Sequence, residues 1–497
     1  MNNTLIIDKN DNTAIALVEL TAGSEVHGVV LTSNIPNGHK FALKNIKTGD
    51  RVIKYGYPIG HATQDIEAGS HIHTHNLKTN LKGVLEYTYE PVTPVGADVP
   101  VRPTKHATFS GFVRSDGSVG IRNEIWVINL VGCTNKPAEK MVETANKRFA
   151  ENMNGIDGIY TFVHPYGCSQ LGGDHLKTQT ILANMVHHPN AGGVLVFGLG
   201  CENNNIPEFK KVLGEYDPAR VKFLNAQDVD DEIEDGVEII KELIDYAKTF
   251  KRQPVGLDNL VIGLKCGGSD GFSGITANPL VGRVSDMLID HGGTALLTEV
   301  PEMFGAETIL MNRCETPELF NKTVALINEF KEYFIRYNQE VYENPSPGNK
   351  DGGISTLEDK SLGCTQKGGT SLIKGVLAYG ERVKTKGLNL LDGPGNDIVA
   401  ITNMMASGAH IILFTTGRGT PVGAPVPTLK ISSNSQLAAK KPTWVDYNAG
   451  TLLEGKAMAA AANELFAKII SVANGEQAQN EISGYREISI FKDGVTL

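Results

Sequence analysis

The feature that most constrains this chain is a series of short, continuously apolar runs alternating with amphipathic helical patterns. The runs are IWVINLVG (125–132), GIYTFVH (158–164), GGVLVFGLG (192–200), NLVIGLK (259–265), TALLTEV (294–300) and HIILFTTG (410–417). Segments such as AEKMVETANKRFAE and DEIEDGVEIIKELIDYAK lie between them. Strands apolar on every residue must be covered on both faces. Their alternation with helices predicts an α/β body of mostly parallel sheets sheathed by helices. In such sheets ligands bind beyond the carboxyl ends of the strands.

Residues 1–88 follow another pattern. TLIID, AIALVEL, VHGVVLT, FALKNI and RVIKYG are separated by Gly, Asn and Asp turns, which predicts a small all-β unit. A Pro- and Val-rich stretch at 89–108 reads as an extended linker. Pro345, Pro347, Gly348, Gly352 and Gly353 mark a boundary or lid, which divides the body into an α/β domain at 109–345 and a second at 346–497.

A formal net charge of -10, with no Lys/Arg-rich block, argues against a nucleic-acid partner. No apolar run reaches the ~18 residues a membrane helix needs. Six cysteines in 497 residues are too sparse for a secreted disulfide scaffold, so a cytoplasmic setting with free thiols is expected.

Those cysteines are placed non-randomly. Cys133, Cys168, Cys201, Cys266 and Cys364 each adjoin a glycine; only Cys314 does not. The glycine content would put one beside roughly one cysteine in five. A buried cysteine at a strand end can be a small hydrophobe. Here, however, polar residues keep company with them. His164 and Tyr166 precede Cys168, Glu202 and Asn203 follow Cys201, Ser269 and Asp270 follow Cys266, Glu299 closes one strand and Arg418 follows another. No C-x-x-C occurs, so zinc ribbons and thioredoxin-type motifs are excluded.

The β unit carries His71-Ile72-His73-Thr74-His75, which on a strand would place three imidazoles on one face, a pattern suited to Zn, Fe, Ni or Mn. His39-Lys40 and Lys54 add local positive charge for an anionic substrate. GLGCEN (198–203) lacks the third glycine of a dinucleotide fingerprint. Arg418, held between two glycines, is placed to clamp a carboxylate.

IPNGHKFAL (35–43), VIKYGYPIGHAT (52–63), GSHIHTHN (69–76), HPYGCSQLGGDH (164–175), GLGCENN (198–204), CGGSDGFSGITANP (266–279), TEVPEMFGAE (298–307), ENPSPGNK (343–350), LEDKSLGCTQKGG (357–369) and FTTGRGTP (414–421) together resemble the altronate/galactarate dehydratase family over nearly the whole chain. The resemblance implies an N-terminal SAF-type β domain and a larger two-part catalytic body. It implies a hydro-lyase converting D-altronate to 2-dehydro-3-deoxy-D-gluconate in hexuronate catabolism, dependent on divalent iron or a similar metal. Within that resemblance the HxHxHN run favours the altronate type over galactarate, with galactarate or another hexonate or hexarate as the alternative substrate.

Such a dehydration needs a cation on the substrate carboxylate, a base at C2 and an acid for the C3 hydroxyl. The expected base is His164, with Tyr166 or Lys40 assisting the leaving group and Asp270 and Glu299 also at the catalytic edge. Arg418, Lys54, Ser269 and Asn203 are expected to bind substrate. Metal ligands are expected among His39, His73, His75, Cys168, Cys201, Glu202 and Cys266. A single Fe²⁺ or Mn²⁺ is preferred; an iron–sulfur cluster on three cysteines is the alternative. A non-catalytic sugar-acid-binding protein and a nicotinamide oxidoreductase are the readings from other classes. A homodimer is left open.

Overall fold

A computed structural model describes residues 3–92 and 107–497. Most of the stretch expected to be a linker, 93–106, lies outside the described residues. Just before it, Tyr87 Oη donates to Glu307 and Tyr89 Oη donates to the carbonyl of Cys314, so 87–89 is packed against the body.

The N-terminal unit is all β, as expected. Thr4–Leu5, Thr13–Ala16, Lys40–Ala42 and His71–Ile72 form one sheet in that order. Arg51–Lys54, Tyr57–Ala62 and Leu77–Lys78 form another. The histidine run is not one strand. Pairing stops at Ile72, and the backbone turns, with the N–H groups of Asn76 and Leu77 both donating to the carbonyl of His73.

The body holds two parallel sheets. In the first, Gly158–Thr161, Glu124–Asn129, Ala191–Gly198 and Val221–Asn225 lie side by side in that order. Helix Glu232–Ala247 covers one face. Asp231 caps it by accepting from the N–H groups of Ile233 and Glu234, and Val237, Ile240, Leu243 and Ile244 form its buried stripe. Each of these aliphatic side chains contributes ~1.5–3 kcal/mol by leaving water. An aspartate at Ile240 would put a charge among them and detach the helix.

The second sheet has seven strands in the order Ile373–Leu377, Gly387–Leu391, Thr294–Leu297, Val261–Cys266, Ile411–Thr416, Thr428–Ser432 and Tyr447–Asn448, all parallel. It corrects the expected division at 345, because strands from either side of that position interleave in one sheet. The turn residues there instead form a loop against the N-terminal unit: His73 bonds the carbonyl of Lys350 and Lys40 donates to that of Gly353. The chain passes between the two sheets at 248–257, where Arg252–Gly256 pairs antiparallel with Thr108–Val113. The first strand of the seven-stranded sheet, Val261–Cys266, sits mid-sheet, and the chain leaves it first to one side and later to the other. That is a topological switch point, and its carboxyl end carries Cys266.

Candidate active site and metal centre

The loops leaving the two central strands, 266–270 and 416–419, are folded onto each other. The N–H groups of Gly417 and Arg418 both donate to the carbonyl of Gly268, which has φ +60°. A cleft of about 690 Å³ opens beside them, lined by Asp270, Arg418, Asn434, Asp351, Lys440 and Asn37 among others. Asn37 comes from the N-terminal unit, so the cleft lies between that unit and the body.

Asp270 is buried, and its Oδ1 accepts from Ser273 N–H, Phe272 N–H, Ser273 Oγ and Ser433 Oγ. Its Oδ2 accepts from Asn434 at 2.9 Å. Burial pushes this carboxyl up, against the hydrogen bonds from Ser433, Ser273 and Asn434. Asp270 also lines a void of about 10 Å³ with Lys54, Ser269, Asp359 and Cys364, room for ~1 water. Ser269 Oγ is buried there without a partner.

Behind this void Asp359 bridges two lysines: Lys40 Nζ is 2.9 Å from its Oδ2 and Lys54 Nζ 2.8 Å from its Oδ1, all fully buried. Burial favours the neutral acid, yet the two ammoniums hold Asp359 well below the usual carboxylate range. One carboxylate cannot fully compensate two ammoniums. Burial, opposed by Asp359 and reinforced by the neighbouring Lys54 ammonium, pushes Lys40 down to about 8.

Deeper still, Glu299 sits at φ +69°, a conformation sparse for glutamate and of the kind structures retain at functional positions. It accepts from Lys265, from Lys367 at 3.0 Å and from Cys266 N–H at 3.0 Å. Glu302 pairs with Lys360 at 2.8 Å, and Lys265 with Asp397 at 2.9 Å. Cys266 Sγ lies 3.3 Å from Cys364 Sγ and 3.0 Å from Glu302 Oε2, and Lys367 Nζ donates to it at 2.7 Å. Burial pushes the Cys266 thiol well up, so unliganded it is neutral.

Cys266, Glu302 and Cys364 form a group whose ligand atoms all lie within 4.8 Å of one another, and it could hold a metal ion. Two sulfurs and a carboxylate suit a borderline divalent ion with a coordination position left open. The charges also fit. Three lysines face Glu299, Glu302 and Asp397, so a divalent ion that displaces both thiol protons leaves the centre balanced.

The sequence-derived candidates thus fall in three places. Lys40, Lys54, Ser269, Asp270, Glu299, Cys266 and Arg418 belong to the site just described. His39, His71 and His73 form a triangle of rings with centroids 5.1–5.6 Å apart at its rim. His71 takes the place expected of His75, which is exposed on the turn. His39 and His73 bond the carbonyls of Asp351 and Lys350, and burial pushes His73 down to about 4.

His164, Tyr166, Cys168, Cys201, Glu202 and Asn203 lie at the edge of the four-stranded sheet and line neither the cleft nor the void. His164 does not stand free as a base there: Nε2 meets the carbonyl of Asn129 at 2.8 Å, Nδ1 accepts from Tyr166 N–H, and burial pushes it down to about 4. Both Glu202 oxygens accept backbone N–H groups, from Leu199 and Gly200, and Asn203 accepts from Ser169 N–H. Tyr166 Oη meets Ser489 Oγ of the C-terminal segment.

Sequence reasoning missed Lys265, Glu302, Asp359, Lys360 and Lys367, and did not count Cys364 among the ligands. A lysine inside VIGLKC, a fully apolar strand, was the available signal, since a buried lysine requires a buried partner.

Three family models match the chain in succession: the altronate/galactarate dehydratase SAF domain over 2–80, the D-galactarate dehydratase/altronate hydrolase second domain over 111–248, and the D-galactarate/altronate dehydratase C-terminal model over 257–496. Altronate dehydratase of Escherichia coli (strain K12) is 52% identical over 98% of both chains. Altronate dehydratase of Bacillus subtilis (strain 168) is 52% identical over 100% of both. Galactarate dehydratase (L-threo-forming) of E. coli is 32% identical over 95% of this chain and 92% of its own.

Proposed function

Because the chain belongs to the D-galactarate/altronate dehydratase family, and is a hydro-lyase acting on a small sugar acid, we propose that it removes water from D-altronate to give 2-dehydro-3-deoxy-D-gluconate. The observation that carries this assignment to a place is the cleft at the switch point, where Asp270 and Arg418 line one cavity on interlocked loops.

Arg418 supplies the fork for the substrate carboxylate. Asp270 Oδ2, which accepts from Asn434 alone, takes the C2 proton. A carboxylate raised by burial is the stronger base for that step. The C3 hydroxyl leaves as water on receiving a proton from the Lys40–Asp359–Lys54 assembly, in which Lys54 lines the void and Lys40 holds the more labile proton. The enol so formed becomes the 2-keto acid. Ser269 Oγ, free of any partner, is positioned to bond a substrate hydroxyl.

Cys266, Glu302 and Cys364 would hold the divalent ion, with Fe²⁺ expected and Mn²⁺ the alternative. When bound, it supplies Lewis acidity that stabilises negative charge developing on the carboxylate side of the substrate. No helix among the described residues is long and apolar enough to cross a membrane, and a cytoplasmic location is proposed with the function.

The test is a 2-keto-acid assay on a panel of hexonates and hexarates. D-altronate should be turned over fastest, and Asp270→Asn should abolish turnover with substrate binding retained. Product from galactarate but not altronate would overturn the substrate assignment. Near-normal turnover by Asp270→Asn would overturn the base.

A further inference from the structure

The two halves of the cysteine set differ in exposure. Cys266, Cys314 and Cys364 are buried, whereas Cys133, Cys168 and Cys201 are all exposed and free. The exposed three follow three adjacent strands of the four-stranded sheet: Cys133 after the inner strand Glu124–Asn129, Cys168 after Gly158–Thr161 on one side, and Cys201 after Ala191–Gly198 on the other.

Their loops are locked together by backbone contacts. Gly132 N–H donates to the carbonyl of Tyr166 at 2.9 Å, and Asn204 N–H to that of Gly167 at 3.0 Å. Asn204 Nδ2 donates to the carbonyl of Leu130 at 3.1 Å, and Ser169 N–H to Asn203 Oδ1 at 2.9 Å. Glycine is required beside Cys168: at Gly167, φ +96°, a Cβ would lie 1.9 Å from the carbonyl oxygen of Leu130. Each cysteine is thus within three residues of a contact that ties its loop to a neighbour. A second observation marks the same edge as incomplete: Asn129 Oδ1 and Asn204 Oδ1 are buried there with no hydrogen-bond partner.

We propose that Cys133, Cys168 and Cys201 hold an iron–sulfur cluster on the second domain, separate from the Cys266–Glu302–Cys364 centre. Three thiolates leave one iron of a four-iron cluster without a cysteine ligand, facing the exposed edge. Each thiol gives its proton to solvent as it binds. A single zinc or iron ion is the poorer fit. It would draw all three sulfurs into one tetrahedral sphere. Yet the three sulfurs do not all lie within 4.8 Å of one another. A cluster, with several irons, spreads its ligands wider.

The experiment uses the full chain purified without oxygen and reconstituted anaerobically with ferric iron, sulfide and excess dithiothreitol, the dithiol supplying the two electrons that take four ferric ions to the mixed-valent cluster. Readouts are iron, acid-labile sulfide and visible absorbance. The expected result is about four of each per chain, with a visible band that bleaches in air. That band should be lost in Cys133→Ser, Cys168→Ser and Cys201→Ser, and kept in Cys266→Ser. Unchanged far-ultraviolet circular dichroism shows that each variant folds. Iron without labile sulfide, sulfide lost only in Cys266→Ser, or retention in all three exposed-cysteine variants would each overturn the proposal. The keto-acid assay is scored separately, so either result leaves the substrate assignment to its own test.

Discussion

Replacing Asp359 by Asn tests the buried lysine pair most directly. Volume is conserved, but Lys40 and Lys54 lose their shared counter-charge in a fully buried setting. Removing one partner of a buried ion pair costs about 3–5 kcal/mol because the other charge stays unpaired. The escape route is to release the proton of one lysine. For Lys40, already held down to about 8, that costs only about 1.4 kcal/mol at pH 7, but it still leaves the Lys54 ammonium without a counter-charge, so most of the penalty remains. Spread over a transition of this size, in which about 1 kcal/mol moves the midpoint by about 1 °C, the loss should appear as a fall in melting temperature of about 3–5 °C. The informative variant is the double one, Lys40→Met with Asp359→Asn. It removes the surplus ammonium and should recover about half of the loss, whereas Lys40→Met alone leaves Asp359 paired with Lys54 and should cost less than Asp359→Asn. Differential scanning fluorimetry of the four proteins under one metal condition gives the cycle. A fall of less than 2 °C in Asp359→Asn, or strict additivity in the double variant, would refute the claim that charge frustration governs this site.

Other outcomes follow from the same geometry. Arg418→Lys keeps the charge but loses the planar fork, and should raise KM for a hexonate about tenfold with a smaller change in kcat, read by steady-state kinetics. Burial raises the Asp270 carboxyl, and the base works only when deprotonated. Activity should therefore fall as pH drops through a value above the ordinary aspartate range, and a pH profile flat down to pH 4 would contradict this. Glu302→Gln removes one proposed ligand and leaves Lys360 unpaired, so bound divalent metal per chain should drop by elemental analysis, together with several degrees of melting temperature.

What was legible in the sequence was the periodicity. Val261–Cys266 and Ile411–Thr416 announced themselves as apolar runs ending in glycine, and the strand-end rule put Asp270 and Arg418 at the ends of those strands, where both line the cleft. Strand order was not legible, because nothing local says that Ile373–Leu377 and Thr294–Leu297 share a sheet. The boundary expected at 345 failed for that reason. His164 looked like a base because it is a polar residue at a strand end, but only the fold shows both its ring nitrogens spent on backbone groups. Asp359, Lys360 and Cys364 lie in LEDKSLGC, where nothing local says that three consecutive charges are buried. All eight residues are in fact buried, and each charge is satisfied by a partner remote in sequence.

That short helix, Leu357–Cys364, reaches into the N-terminal unit through its cap and first turn. Asp359 takes Lys40 and Lys54, Glu358 accepts from Thr79 Oγ1 and Asn80 N–H, and the preceding Thr356 donates to the carbonyl of Ile59. The unit is therefore held by buried polar contacts rather than by its tether. If the backbone were cleaved within 93–106, the two pieces should stay together as a tight non-covalent complex. Produced as separate polypeptides they should reassemble, and neither would keep its lysines or its aspartate neutralised alone.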